Sequence, residues 1–269
     1  MEGSSASERK ALRDVNAYLA TALGPQLEEV FDNPGERRVQ AVGQMGILPL
    51  LATPVAGRAL GSSPEIAYRH PKADAAFRKE GVRGSVELLV VDKCFKGDAQ
   101  KVEITAGLAP SRQSAESQIL TFNSETSTLP VDKLISALKS VSSAIVFCHA
   151  ESPVANASAA GLVLGPSSRL TVDMLASFDL NGLEELALIG CASGRSNPFV
   201  GEATLAHAAA LAGAGEILYT LWPIRPGDGA GIVVGMLESR GQGQTMRKFL
   251  ARQFEEDPLK AAPFAVMRP

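Results

Sequence analysis

Apolar and polar positions along the 269-residue chain fall into two alternating textures. Short apolar runs at Val86–Val91, Ile119–Phe122, Ala144–Phe147, Leu186–Ile189 and Ile217–Leu221 largely lack the polar alternation of a half-solvated strand. Runs of this length, bounded by turn residues, predict strands buried on both faces of a parallel sheet. Between them, apolar residues at three- and four-residue spacing predict helices over about 131–139, 201–212, 230–238 and 245–254. An amphipathic helix is also predicted near Arg9 to Val30, on Leu12, Val15, Leu19, Leu23 and Leu27, with Gly24-Pro25 expected to interrupt it. Further short strands are predicted at Val39–Val42, Ile66–Tyr68 and Val102–Thr105, a loop at Gly107–Gln113, and a long structureless loop from Glu151 to Ser168. Strand and helix in alternation make an α/β protein with a mostly parallel central sheet.

Two of the runs end in reactive side chains. Ala144–Phe147 is followed by Cys148-His149, and Leu186–Ile189 by Gly190-Cys191. In parallel sheets, sites form just beyond the carboxyl ends of the strands. The stretch between the two ends is long enough for a return crossover with a helix, which makes the strands parallel and usually neighbours. His149 and Cys191 are therefore expected side by side, as base and nucleophile. The small residues of Gly190-Cys191-Ala192-Ser193-Gly194 leave backbone N–H groups free for an oxyanion, and that hole is expected from Gly190, Cys191 and Ala150. Cys148 points to the opposite face of its strand and is read as a core thiol. Cys94, His70 and His207 have no partners in sequence and are read as structural.

These residues resemble a known family. His149-Ala150-Glu151, Leu170-Thr171, Gly190-Cys191-Ala192-Ser193-Gly194, Gly201-Glu202, Leu221-Trp222-Pro223 and Ala262-Pro263-Phe264 are similar in order and spacing to a CHAT domain, in the caspase and separase group of cysteine peptidases. Upstream, Arg37-Arg38-Val39 and Gly46-Ile47-Leu48-Pro49-Leu50 resemble the family's early strand and Leu-Pro segment, and Ser114-Ala115-Glu116 falls where the family often has a Glu-Ala pair. The resemblance runs from about Tyr18 to Phe264. It implies one peptidase domain over residues 18–269, after a polar arm and helix start at 1–17. It further implies a caspase-like three-layer αβα sandwich, a His149–Cys191 dyad with no third residue, no cofactor and no metal, a protein substrate, and a regulatory protein partner.

In the family, the strand ending near Leu221 and the turn after it border the pocket for the residue before the scissile bond. That pocket is expected here from Glu151, Trp222, Arg225 and Asp228. The sequence departs from the family pattern twice. Pro223-Ile224-Arg225-Pro226 stands where acidic residues are usual, with Asp228 just beyond, and Ala150 stands where glycine is usual. An alanine at a position expected to need glycine's freedom, together with Arg225, motivates an alternative: a catalytically idle CHAT-type scaffold that binds a partner protein.

Composition adds exclusions. A net charge of −3 gives no electrostatic footprint for nucleic acid or an anionic membrane. The longest apolar candidate for a membrane span, Ile47–Leu60, is broken by Pro49, Pro54, Gly57 and Arg58. Met1–Lys10 is polar and does not read as a secretory signal, so a cytoplasmic location is expected. Three cysteines without paired spacing predict reduced thiols, and the ligands for a structural zinc site are too few.

Overall fold

The computed structural model describes residues 6–32, 37–39, 50–55, 57–63, 66–69, 87–108, 117–151, 160–190 and 204–268. In chain order its strands are β1 (Arg37–Val39), β2 (Pro54–Val55), β3 (Arg58–Ala59), β4 (Ile66–Arg69), β5 (Leu88–Asp92), β6 (Gln118–Phe122), β7 (Ser143–Phe147), β8 (Ala150–Glu151), β9 (Gly161–Gly165), β10 (Ser168–Thr171), β11 (Glu185–Ile189), β12 (Glu216–Thr220) and β13 (Phe264–Arg268). The helices are α1 (Ala6–Asp32), α2 (Gly97–Leu108), α3 (Val131–Lys139), α4 (Val172–Ala176), α5 (Leu205–Leu211), α6 (Pro226–Gly241), α7 (Met246–Glu256) and α8 (Pro258–Ala261).

The runs Leu88–Val91, Ala144–Phe147 and Leu186–Ile189 are buried along their whole length, which requires cover on both faces of the sheet. They lie side by side in an eight-stranded sheet of order β1-β4-β13-β12-β11-β7-β5-β6, with the edge strand β6 covering the outer side of β5. Every neighbouring pair is parallel except β12 with β13. The step from β5 to β6 runs toward one edge, whereas β6 to β7, β7 to β11 and β11 to β12 step the other way. With right-handed crossovers, opposite steps put their helices on opposite faces, α2 on one and α3, α4 and α5 on the other. Packing follows that division: α2 lies against α6 and α6 against β7, while α4 lies against α5 and α5 against β12. The result is a mixed α/β sandwich whose site strands sit mid-sheet. Each fully buried Leu, Ile or Phe in it contributes about 1.5 to 3 kcal/mol of transfer free energy.

Several expectations change. Val102–Thr105 is part of α2, not a strand: its apolar–polar alternation imitates one, but Ala99, Val102 and Ala106 are buried at helical spacing and Ile104 is exposed. Gly24-Pro25 leaves α1 uninterrupted, since a proline removes one backbone donor and the other turns of this 27-residue helix carry the element across it. Within 151–168 the chain forms β8, β9 and the start of β10, an antiparallel sheet of order β10-β9-β8. Gly161 permits it, because a Cβ there would meet the Leu170 carbonyl oxygen at 2.6 Å. Finally, β6, expected to be buried on both faces, is the edge strand of the sheet, with Ile119 and Thr121 exposed; the C-terminal segment, for which no element was predicted, returns as the antiparallel strand β13. Residues 40–42, 109–113 and 201–203 of the expected elements lie outside the described residues. Among the described residues no helix is long and apolar enough to cross a membrane.

Candidate active site

The strands β7 and β11 run side by side with Phe147 opposite Ile189, so both stop at one level of the sheet edge. The Cys148 N–H continues the pairing by donating to the Ile189 carbonyl at 3.3 Å. Gly190 then lies flat against the turn that carries the histidine. A Cβ on it would stand 2.5 Å from the Cys148 carbonyl oxygen and 3.2 Å from the Ala150 Cβ, so only glycine fits. From the β12 side, the buried Thr220 hydroxyl donates to the Gly190 carbonyl. The end of β11 is thus held from both flanks. The next residue, Cys191, lies outside the described residues, as do Ala192-Ser193-Gly194, Gly201-Glu202, Gly46–Pro49, Ser114–Glu116 and His70.

His149 is half-buried at the mouth of this edge. Its carbonyl accepts the Val163 N–H at 2.9 Å, and Ala150 follows in register with Leu162, so the small antiparallel sheet grips the residue's backbone. Phe95 supports the ring: its centroid lies 4.5 Å from the imidazole at an interplanar angle of 57°, and 4.8 Å from the Phe147 ring. Tilted aromatic pairs at such spacing are favourable and limit ring rotation.

Phe95 comes from a single turn of 3-10 helix, Lys93–Phe95, that directly follows β5. The same turn brings Asp92 and Cys94 to the histidine. One carboxylate oxygen of Asp92, Sγ of Cys94 and a ring nitrogen of His149 all lie within 4.8 Å of one another. Asp92 is wholly buried, and its Oδ1 accepts the backbone N–H groups of Cys94 and Ser124, each at 3.0 Å. Its Oδ2 has no hydrogen-bond partner among the described residues. Burial first, then the Asp92 carboxylate, pushes the Cys94 thiol up to about 12, against a hydrogen bond with Ser124 that lowers it. Lys96 closes the turn at φ 49° and ψ −115° and has the only positive φ of any non-glycine among the described residues. Such a conformation costs about 1 to 3 kcal/mol and persists where surrounding structure imposes it. Cys148 is fully buried and burial pushes its thiol well above the ordinary value, as befits a core thiol. His207 sits at the start of α5, with Nδ1 2.7 Å from the Thr204 hydroxyl that caps the helix.

The segment from β12 to α6 crosses over the same edge. Trp222 is half-buried against the core. Arg225 is exposed at the N-cap of α6, and its carbonyl accepts the N–H groups of Asp228 and Gly229, both at 3.1 Å. A Cβ on Gly229 would meet Phe147 and Ile224 at 3.1 Å and Ile189 at 3.2 Å, so the first turn of α6, with half-exposed Asp228, stands directly over the ends of β7 and β11. Asp98 approaches from α2, its carboxylate 3.6 and 3.7 Å from the place a Gly227 Cβ would occupy. Glu151 is engaged elsewhere, in an ion pair with Arg169 of β10 at 2.7 Å.

Asp92, Phe95 and Thr220 were not among the residues the sequence singled out, and Cys94 was read there as structural only. A signal existed for Asp92, Cys94 and Phe95: Leu88–Val91 ends in Asp92-Lys93-Cys94 much as the other two runs end in His149 and Cys191.

Three comparisons with known proteins bear on this arrangement. The CHAT domain family matches residues 50–253. Among solved structures, the Saccharomyces cerevisiae separase–securin complex matches with a TM-score of 0.54 at 10% identity, over 86% of this chain and 15% of that one. At that identity the likeness is one of fold, and this chain spans a small fraction of the yeast chain's length. No curated protein matches by sequence. A run of five parallel strands, β12-β11-β7-β5-β6, that contains the site strands, a histidine on the turn after one of them, a Gly-Cys end in the sequence of its neighbour and a family match over most of the length lead to one conclusion: the chain belongs to the CHAT domain family.

Proposed function

We propose that this chain is a cysteine endopeptidase acting on a protein substrate through His149 and Cys191. The observation that supports this most is the packing of Gly190 on the Cys148–Ala150 turn. Cys191 is the next residue in the chain, about 3.8 Å away by Cα, beyond a strand end held against the histidine's own backbone. In this reading the imidazole draws the thiol proton, and the thiolate attacks the peptide carbonyl carbon. The carbonyl electrons move to the oxygen, where backbone N–H groups at Gly190, Cys191 and Ala150 receive the charge. The C–N bond then breaks as the imidazolium protonates the leaving amine. Water, deprotonated by the same histidine, cleaves the thioester and restores the thiol.

In this reading Trp222, Arg225 and Asp228 form the wall for the residue before the scissile bond, with Asp98 near the start of α6 and Glu151, paired with Arg169, as a further member of the pocket. The yeast neighbour was crystallised with a second protein, and this chain is read as working under a regulatory protein partner in the same general way. The test is a peptide library incubated with wild type, Cys191→Ala and His149→Ala. Cleavage by wild type alone, with all three proteins equally folded, is the expected result. Undiminished cleavage by Cys191→Ala overturns the nucleophile, and no cleavage by any form favours the idle scaffold.

A further inference from the structure

We propose that Asp92, Cys94 and His149 form a zinc site that takes the histidine out of service. The three residues come from two neighbouring strand ends, and their ligand atoms already lie within 4.8 Å of one another. Thiolate, imidazole and carboxylate are the donor types zinc prefers, whereas magnesium and calcium take oxygen ligands. Zinc bonds of about 2.0 to 2.3 Å set ligand separations near 3.5 Å in a tetrahedron. Turning the half-buried Cys94 and His149 side chains by modest angles closes the remaining gap. The fourth position is left to water, as zinc sites with three protein ligands allow.

A second, independent feature points to a cation. Asp92 is wholly buried, yet one of its oxygens has no donor among the described residues. A buried carboxylate oxygen without an N–H or O–H donor is costly unless a proton or a cation reaches it. The other oxygen is fixed by two backbone N–H groups, which orients the carboxylate as outer contacts orient metal ligands elsewhere. The Phe95 ring lies beside the imidazole, and Lys96, at positive φ, ends the turn that carries Cys94.

Binding is balanced by proton release: zinc replaces the thiol proton of Cys94, which passes to solvent, and takes a lone pair of neutral His149. A histidine whose nitrogen holds zinc can neither accept nor return a proton. The metal-bound form is therefore idle, and this consequence rests on the endopeptidase reading, whereas metal binding itself does not.

Cobalt serves as the probe, because a tetrahedral thiolate site gives visible d–d bands and a thiolate-to-cobalt charge-transfer band. Titration of the wild-type chain is expected to show both, and zinc to displace them. Cys94→Ser should abolish the charge-transfer band, and His149→Gln should weaken binding by about a hundredfold or more, above the cost of losing an outer contact. Cys191→Ser should bind as wild type does. Circular dichroism confirms that each variant is folded. Absence of the bands in wild type, or binding that survives Cys94→Ser and is lost in Cys191→Ser, overturns the proposal. Where peptide cleavage is measurable, micromolar zinc should stop wild type and spare Cys94→Ser. Cobalt bands without any cleavage would keep the metal site and discard the endopeptidase reading.

Discussion

The ends of β5 and β7 are neighbours in the sheet, with Val91 opposite Phe147, and both conclude wholly apolar runs with polar residues. They treat those residues differently. At β7 the histidine emerges half-exposed, gripped, among the described residues, by its backbone and by an aromatic face. At β5 the aspartate stays buried, caps a tight turn with one oxygen and leaves the other bare, while the thiol two residues on is kept neutral by burial. One end presents an imidazole half-exposed. The other keeps a carboxyl buried, with a thiol beside it, within reach of that imidazole. The contrast shows how one sheet edge places a working group and a group that constrains it a few ångströms apart.

The sharpest way to break the contrast is to ask how reactive the β5 thiol is. With its pKa raised from 9.0 to about 12, Cys94 carries roughly a thousandth of the thiolate a free cysteine has near pH 8. Alkylation with iodoacetamide, followed by peptide mass mapping, is expected to label Cys94 about one to two orders of magnitude more slowly than a free thiol, because the higher intrinsic nucleophilicity of its thiolate offsets part of the scarcity. The rate should still be rising with pH above 9, since the thiolate of this site forms only as pH climbs toward the raised value. Labelling at the rate of a free thiol would mean that the β5 turn opens in solution and that the two ends do not differ.

The second test concerns what holds the β7 end in place. In Gly190→Ala, a methyl would meet the Cys148 carbonyl oxygen at 2.5 Å and Ala150 at 3.2 Å. Backbone must move, and overpacking of this kind costs about 1 to 3 kcal/mol or more. A fall in Tm of roughly 3 to 10 °C is expected. An unchanged Tm would show that β11 and the histidine turn are not pressed together.

Much of this was legible in the chain, and the failures have physical causes. The all-apolar runs identified β5, β7, β11 and β12 because a strand covered on both faces has no polar side to confuse it, whereas β6 was found from its apolar run although it is an edge strand with Ile119 and Thr121 exposed. The same rule placed His149 at a strand end and Gly190 beside it. It was equally applicable to Leu88–Val91 and would have marked Asp92. Cys94 and Phe95 lie one turn further on, and their approach to His149 depends on Lys96 adopting a backbone conformation that sequence does not announce for a lysine. Val102–Thr105 misled because four residues of apolar–polar alternation fit a strand and a helix equally; the deciding residues, Ala99 and Ala106, lie outside that window. Asp98 reaches the start of α6 only through the packing of α2 on α6, a contact between distant segments without local trace.

The smallest effect tests Ala150 itself, where the sequence suggested a need for glycine. Ala150 is a buried strand residue paired with Leu162, and among the described residues Lys96 alone combines a side chain with a positive φ. Its backbone is therefore in a region that alanine occupies without strain. The methyl fills the space between the histidine turn and Gly190, where a Gly190 Cβ would come within 3.2 Å of it. Ala150→Gly removes that buried methyl and adds freedom to the unfolded chain, a cost of about 0.5 to 1 kcal/mol. The expected outcome is a Tm lower by about 1 to 4 °C, with no gain in any peptide cleavage the wild type shows. A higher Tm, or a faster cleavage, would place strain at this turn after all and erase the distinction between a relaxed β7 end and the strained turn after β5.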